Sequence, residues 1–249
     1  MSVLTLRLAG PLQAWGASAR FARRTTESAP TKSGVIGMLA AAQGLDRGDE
    51  AGLARLAALR FGVRMDQPGT RVRDYQTAQH QITGKSMPVS ERYYLADAVF
   101  VAALEGEQTL LEELDAALQA PVYAPYLGRR SCPPARPVRL GLHHGLSLRQ
   151  ALREEPWQAA AWYRKGHRQD VTVSVSVLRE AEADEDSADT LRDQPLSFAA
   201  EHRRHALRTV VTETVDLSNP DREHASASVP EHDPLAALEW LEAPEEETA

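Results

Sequence analysis

The stretch Lys32-Ser33-Gly34 follows Thr31, a residue able to N-cap a helix. A helix start offers unpaired backbone N–H groups and the positive end of the helix dipole, so these residues suit a phosphate group. The stretch is not a Walker A loop, because the upstream glycine of that motif is absent, and Gly84-Lys85-Ser86 lacks it as well. An ordinary capped helix would show the same residues, and spacing alone leaves both interpretations open.

Arginine is concentrated in the N-terminal half, close in sequence to several aromatic residues. Such a mixture suits single-stranded RNA, because phosphates take the charge and unstacked bases stack on the rings. For any one residue a solvated face or a core ring is the commoner explanation, whereas the arginines as a set favour a polyanion. The arginines are Arg20, Arg23, Arg24, Arg60, Arg64, Arg71, Arg73, Arg129 and Arg130, and the aromatic residues are Trp15, Tyr75, Tyr93 and Tyr126.

Candidate catalytic residues are sparse. His80, with Tyr75 and Lys85 nearby in sequence, could supply the base, the acid and the charge stabiliser of a metal-independent RNA cleavage. Three such residues so close together are common by chance, and the sequence contains no G-x-S-x-G, H-E-x-x-H or C-x-x-C motif. We therefore expect a non-catalytic protein, with endoribonuclease activity as the alternative hypothesis.

No metal and no cofactor are expected. The histidine pairs 143–144 and 202/205 lack a carboxylate at ligand spacing. Cys132 is the only cysteine, which excludes an internal disulfide and a cysteine-rich zinc site. No apolar run approaches the roughly 20 residues of a membrane span, and the N-terminus has no signal-peptide pattern. We predict a cytoplasmic globular protein with no membrane contact.

The charge of the chain is divided unevenly between its halves. Its 249 residues carry 28 Lys and Arg against 35 Asp and Glu, a net charge of −7 that by itself argues against nucleic acid. Residues 1–139, however, carry 17 basic against 13 acidic side chains, whereas residues 140–249 carry 11 against 22. The asymmetry predicts one polyanion-facing surface in the N-terminal half.

The element pattern over residues 3–142 predicts an α+β fold of the ferredoxin-like, RNA-recognition-motif-like (RRM-like) class. Leu4, Leu6 and Leu8 alternate with other residues and predict a half-buried strand, and Arg60 and Arg64 are predicted to point outward. The predicted elements are a strand over 3–8, helices over 32–44 and around 53–59, strands over 60–66 and 71–75, an excursion over 76–91, a strand over 92–104, a helix around 110–118 and a strand over 138–142.

The C-terminal part is predicted to be a smaller extension. Strands are expected over 171–177 and 207–215, with a solvated acidic loop over 180–193 between them. The predicted domains are a core over 1–142 with a protruding hairpin at about 76–91, an extension with strands over 143–217, and a flexible acidic tail over 218–249.

Five motifs stand in a fixed order along the chain: LRLAGPLQAWG (6–16), PTKSGVIG (30–37), RDYQT (73–77), RYYLADAVF (92–100) and YLGRRSCP (126–133). Together they resemble the CasD family of type I-E Cascade subunits, which are CRISPR-associated proteins of the RAMP superfamily. The resemblance covers residues 3–142 densely, and it implies an RRM-like core whose excursion at about 76–91 is a thumb hairpin.

The resemblance also implies partners and a role. It implies a subunit that anchors the five-prime handle of the CRISPR RNA (crRNA), caps the backbone of repeated subunits and contacts the large PAM-sensing subunit. Target DNA is then met only through the complex. In type I-E systems another subunit cuts crRNA, whereas a related subunit of a sister subtype does cut RNA, which keeps the His80 hypothesis open. A third hypothesis is a protein-bridging adaptor that uses the acidic C-terminal half.

The resemblance assigns RNA contacts to three segments and to nearby residues. The glycines at 10, 16 and 34 are expected to allow close approach of the backbone to phosphates. The predicted RNA-binding residues are Gln13, Trp15, Gly16, Arg23, Arg24, Lys32, Ser33, Gly34, Arg73, Tyr75, Arg92, Arg129, Arg130 and Ser131.

Overall fold

The computed structural model describes residues 1–16, 23–183, 185, 188–199 and 201–222. None of the helices in these ranges is long and apolar enough to cross a membrane. The strands are β1 (Ser2–Ala9), β2 (Leu12–Gln13), β3 (Arg23–Arg24), β4 (Arg60–Gln67), β5 (Thr70–Gln76), β6 (Ser90–Ala96), β7 (Val99–Gly106), β8 (Arg139–His144), β9 (Thr172–Glu180), β10 (Asp189–Ser197) and β11 (Arg204–Ser218). The helices are α1 (Lys32–Gln43), α2 (Glu50–Ala57), α3 (Gln108–Gln119), α4 (Leu148–Glu154) and α5 (Ala161–Gly166).

The main sheet has seven strands in the order β10-β11-β9-β4-β7-β1-β8, and its neighbouring strands run antiparallel. The strands β1 and β7 pair along their whole length, from Ser2 opposite Gly106 to Ala9 opposite Val99. The strands of the predicted extension continue this same sheet, because β9 pairs with β4. The protein is therefore a mixed α/β, β-rich fold whose main sheet is antiparallel, while a smaller sheet contains one parallel pair, β3 with β6.

One face of the main sheet is covered by α1, α2 and α3. Leu6 of β1 lies in one buried cluster with Ile36 of α1 and Leu111 of α3. Thr31 caps α1 as the sequence predicts, since its Oγ1 accepts a hydrogen bond from the backbone N–H of Gly34 at 3.3 Å.

The opposite face is covered by α4 and the segment that follows it. Val3 of β1 lies in a second buried cluster with Leu152 of α4 and with Trp157. The prediction of a half-buried β1 is therefore wrong, because elements more than 140 residues away exclude water from its second face.

Arg64 of β4 lies on this second face and does not point outward as predicted. Its side chain is fully buried, and its guanidinium donates to both carboxylate oxygens of Asp66, at 2.6 and 2.9 Å. It also donates to the backbone carbonyls of Leu152, Glu155 and Pro156. The arginine thus holds the segment after α4 against the sheet.

A smaller sheet forms around β6. The strand β5 pairs antiparallel with β6 from Thr70 to Gln76, while β2 and β3 pair with the other edge of β6. The prediction of one strand over 92–104 is wrong, because Asp97 has a φ of 56° and the chain passes there from the small sheet into the main one. A residue in the left-handed region cannot continue a regular strand.

The acidic region differs from the predicted loop over 180–193. Glu180 ends β9 and Asp189 begins β10, so residue 180 and residues 189–193 of the predicted loop belong to strands. Asp193 is 1% exposed. Of the predicted tail, Ser218 ends β11, and residues 223–249 lie outside the described residues.

Candidate nucleic-acid interface

Trp15, in the first of the five motifs, packs against Gly34 and Gly128, which belong to two of the others. Its side chain is fully buried, its indole Nε1 donates to Oε1 of Gln13 at 3.0 Å, and its backbone N donates to Oγ1 of Thr26 at 2.9 Å. Gln13 is equally buried, and its Nε2 donates to the carbonyls of Leu8 and Ala98. Both residues were predicted to contact RNA, but the structure places them inside the fold, where they fix the loop over 10–16.

The motif glycines are required by the packing around this tryptophan. A Cβ on Gly34 would lie 2.8 Å from the Trp15 ring. Gly128 has a φ of +82°, and a Cβ there would lie 1.8 Å from the carbonyl oxygen of Ala14. Gly34 thus has no room for a side chain next to Trp15, and its approach to a phosphate stays a prediction. Gly16 is exposed at the end of the loop.

The start of α1 does bind an anionic group, but that group is a carboxylate of the protein itself. The backbone N–H of Lys32 donates to Oδ2 of Asp193 at 2.8 Å, and its Nζ donates to Oε1 of Glu180 at 2.8 Å. The Lys32 side chain is 3% exposed, and burial lowers its pKa against the opposing effect of Glu180. Ser33 is also buried. In this structure Lys32 and Ser33 are not accessible to a phosphate.

Asp193 binds two partners, a backbone N–H and a guanidinium group. Besides the start of α1, it pairs with Arg208 of β11, whose Nε and Nη2 lie 2.6 and 3.0 Å from its two oxygens. Neither residue was predicted as functional, because both belong to the region interpreted as an acidic loop and a strand of the C-terminal extension. A buried carboxylate 161 residues from the helix that it caps leaves no local signal.

The arginines on the small sheet and the neighbouring loop have surroundings of a different kind, and we call them together the arginine surface. It extends over both faces of the small sheet, because Arg24 and Arg92 lie on the face opposite to Arg73. The strands β3, β5 and β6 carry five arginines and two carboxylates, Asp74 and Glu91. Across the described residues, no carboxylate lies within 4 Å of any guanidinium nitrogen of this surface. Its members are Arg23, Arg24, Arg71, Arg73, Arg92, Arg129 and Arg130.

Tyrosine rings support three of these guanidinium groups. The Cζ of Arg23 lies 5.4 Å from the ring centre of Tyr93, and that of Arg73 lies 5.0 Å from the ring centre of Tyr75. In the register of the hairpin Arg73 stands opposite Tyr93, and alternate residues of a strand share a face. Arg23, Arg73, Tyr75 and Tyr93 therefore line one face of the small sheet.

Arg129 and Arg130 have different surroundings. The Arg129 guanidinium lies 4.7 Å from the ring centre of Tyr94, and its Nη2 donates to the carbonyls of Arg24 and Thr25 at 2.9 and 3.4 Å. Arg129 thus ties the loop over 126–133 to β3. Arg130 and Ser131 are exposed on the same loop, and Arg92 is partly exposed on β6.

His80 lies on an exposed turn in the segment between β5 and β6. Its Nδ1 contacts the backbone N and the Oγ1 of Thr83, at 3.3 and 3.1 Å, and its backbone N donates to the carbonyl of Lys85. These contacts close the turn locally. In the part of the chain that the structure describes, no group of three or more His, Cys, Asp or Glu side chains could hold a metal ion.

The small sheet thus carries arginine and tyrosine side chains beside a loop that the buried Trp15 holds in place. Comparison with known proteins identifies the family that has this sequence. The profile of the CRISPR-associated protein family Cas5 matches residues 3–211, and the chain belongs to this family. The resemblance inferred from the five motifs is thereby confirmed.

Individual relatives agree with the family. The CRISPR system Cascade subunit CasD of Escherichia coli (strain K12) is 39% identical over 169 residues, which cover 61% of this chain and 75% of that protein. A solved structure described as "Crystal structure of Cas protein" has a TM-score of 0.65 at 36% identity, covering 89% of this chain and 98% of its own. Another, described as "CRISPR RNA-guided surveillance complex", has a TM-score of 0.68 at 33% identity, covering 87% and 91%.

Proposed function

We propose that this chain is a non-catalytic, crRNA-binding subunit of a Cascade surveillance complex. The proposal is supported by the family and by relatives that are named as a Cascade subunit and as part of an RNA-guided surveillance complex. In this role the chain anchors the five-prime handle of the crRNA and caps one end of the backbone subunits. It meets target DNA only through the assembled complex.

The arginine surface is the observation that carries the proposal. Guanidinium groups that lack carboxylate partners are free to form charge-assisted hydrogen bonds with phosphates. Tyr75 is 55% exposed, so its ring, like the planar guanidinium groups of Arg23 and Arg73, offers a flat group on which an unstacked base can stack. We therefore assign the RNA contacts to Arg23, Arg73, Arg130 and their neighbours on this surface and leave Lys32 out of it.

The strand order supports a second part of the proposal. Within the main sheet the strands β4-β7-β1-β8 stand side by side, and α1 and α3 cover one face of them. In chain order these elements follow the β-α-β-β-α-β pattern of a ferredoxin-like fold. We propose that they form the RAMP core of the family.

The hairpin formed by β5 and β6 is proposed as the thumb. Its connecting segment over 77–89 is exposed, and Ile82 within it is 90% exposed. Met87 and Val89 of the same segment are exposed as well, and a group of exposed apolar side chains suits contact with a protein partner. The proposed partner is the neighbouring backbone subunit, while the large PAM-sensing subunit contacts another face.

The experiment is co-expression of the chain with its genomic neighbours, followed by measurement of the crRNA retained in the purified complex. We expect the triple variant Arg23→Gln/Arg73→Gln/Arg130→Gln to retain less crRNA. We also expect the plot of the logarithm of its RNA-binding constant against the logarithm of salt concentration to become shallower, by roughly 0.7 in slope for each lost phosphate contact. Arg47→Gln, an exposed arginine on the loop after α1, is the matched control. Unchanged retention and slope in the triple variant would overturn the assignment.

The non-catalytic part of the proposal has its own test. Purified protein is incubated with repeat RNA in the presence of EDTA, and the products are sized. We expect no specific cleavage. A specific cut that disappears in His80→Ala would establish the endoribonuclease alternative instead.

A further inference from the structure

A cavity of about 390 Å³ lies beside the C-terminal half of β1, and its lining includes no residue of the arginine surface. Arg7 of β1 contributes one wall. Leu6 and Leu8 of the same strand pack beneath α1, so Arg7 points to the opposite face of the main sheet. Arg136 and Trp162 line the cavity as well.

Two positive charges converge in this cavity without a counterion. Burial, together with the positive charge of Arg136, lowers the pKa of Arg7. Among the described residues neither guanidinium has a carboxylate within 4 Å, and Arg7 has one long hydrogen bond, from Nη1 to Oε1 of Gln158 at 3.5 Å. An anion bound between the two arginines would relieve their repulsion.

The other charged residues of the lining do not remove this excess. Arg164 is paired with Asp221, with its Nε 2.8 Å from the carboxylate. Asp97 is the remaining carboxylate of the lining, is exposed, and forms no ion pair with any described residue. Arg7, Arg136 and Asp97 are thus the unpaired charges of the lining, and two cations against one carboxylate leave the cavity with a net positive charge.

An aromatic ring stands beside these arginines. Trp162 is 62% exposed, although it contacts Tyr163 edge-to-face with the ring centres 5.7 Å apart. An exposed indole leaves one face open to stack on a flat ring such as a nucleobase.

The wall that leads to Trp162 is rigidly held. The backbone N of Gln158 donates to Oδ2 of Asp66 at 2.6 Å, and that of Ala160 donates to Oε1 of Gln67 at 3.1 Å. Asp66 is itself fixed by the buried Arg64. The cavity is thus a built site whose shape is set before any ligand arrives.

We propose that this cavity binds one nucleotide, with the phosphate between Arg7 and Arg136 and the base on Trp162. Its volume lies within the range of small-molecule pockets. The shared chemistry is that of a nucleoside monophosphate, which a free nucleotide and one unit of a single strand both offer. The site is independent of the arginine surface and stands whether or not that surface holds crRNA.

The test is a titration of the purified full chain with adenosine 5′-monophosphate, followed by tryptophan fluorescence and by calorimetry. We expect saturable binding, with inorganic phosphate binding more weakly because it lacks the base. A hexaglutamate peptide, the probe for a protein partner, is expected not to bind. Binding of the peptide without the nucleotide would overturn the proposal, as would no nucleotide binding at millimolar concentration.

Variants separate the two halves of the site. Trp162→Ala should weaken nucleotide binding about tenfold and leave phosphate binding unchanged. Arg136→Gln, at an exposed position, should weaken both. Arg47→Gln is the control, and the triple variant of the arginine surface should bind the nucleotide normally. Equal affinity in Trp162→Ala, Arg136→Gln and the unchanged chain would overturn the site.

A last arm distinguishes the two sources of the nucleotide. A five-residue single-stranded oligoadenylate is titrated in parallel with the mononucleotide. A gain of tenfold or more in affinity, lost in Trp162→Ala, assigns the site to a strand. Equal affinity for both probes assigns it to a free nucleotide.

Discussion

Two groups of basic residues in this protein have opposite surroundings. Lys32, Arg64 and Arg208 are buried, and each is paired with a carboxylate at 2.6 to 2.8 Å. The arginine surface is at least partly exposed, and within the described residues it has no carboxylate within 4 Å. A carboxylate partner, more than the number of basic residues, therefore distinguishes the cations that hold the fold together from the surface to which we assign RNA.

The comparison also shows which substitutions should affect stability. A buried charge that loses its partner leaves an uncompensated ion in a low-dielectric interior. An exposed arginine leaves only solvent behind, and such substitutions usually change the free energy of unfolding by no more than about 0.5 kcal/mol. The two groups should thus separate in an unfolding experiment.

The largest effect is expected for Arg64→Leu. The substitution leaves Asp66, whose pKa burial already raises, without its cation, and it releases three backbone carbonyls. We expect the free energy of unfolding to fall by about 3–5 kcal/mol in urea titrations. Arg73→Leu on the small sheet is the control, and its free energy of unfolding should fall by no more than about 0.5 kcal/mol. Equal losses of unfolding free energy in both variants would mean that the buried, paired cations and the arginine surface do not differ in their contribution to stability.

A smaller effect is expected for Asp193→Asn. The amide keeps the size of the side chain but gives up the charge that Arg208 and the start of α1 share. A loss of about 2 kcal/mol is expected in the same titrations. Asp74→Asn on β5, which removes an exposed carboxylate, serves as the comparison and should be nearly neutral. A neutral Asp193→Asn would mean that the carboxylate adds nothing to the capping of α1.

The smallest effect concerns pH. Hydrogen bonds from Arg179 hold the pKa of Glu185 at about 2, below its usual 4.5. Because the pKa is depressed in the folded state, this stabilisation is present above pH 4.5 and is lost as the pH falls towards 2. Thermal melts between these values should show a slightly steeper loss of Tm for the unchanged chain than for Glu185→Gln. Parallel curves would show that the pair adds no stability.

Local patterns predicted the elements that local forces determine. The alternation of Leu4, Leu6 and Leu8 gives β1, and Thr31 caps α1. The arginines at 71 and 73 and the ring at 75 also share a strand, as the spacing indicated. These features depend on neighbours within a few residues, so the sequence carries them directly.

The errors arose where a distant partner decides the outcome. From its sequence neighbours alone, Lys32 was predicted to bind a phosphate. In the folded protein Asp193 and Glu180 of distant strands occupy its backbone N–H and its Nζ. Gln13 and Trp15 likewise lie in a loop whose burial comes from packing with the segments around 34 and 128. Composition and spacing report neither contact, because both depend on the assembled sheet.

The capping of α1 by Asp193 has a consequence for synthesis. Residues 1–142 leave the ribosome well before β9 and β10. The nascent chain therefore carries a helix start and a Lys32 without these carboxylates, and an edge of β4 that β9 does not yet cover. Contacts between such distant residues form late and slowly. Until the last strands dock, the incomplete protein presents an additional anion-binding spot and an unpaired strand edge that the finished protein no longer has.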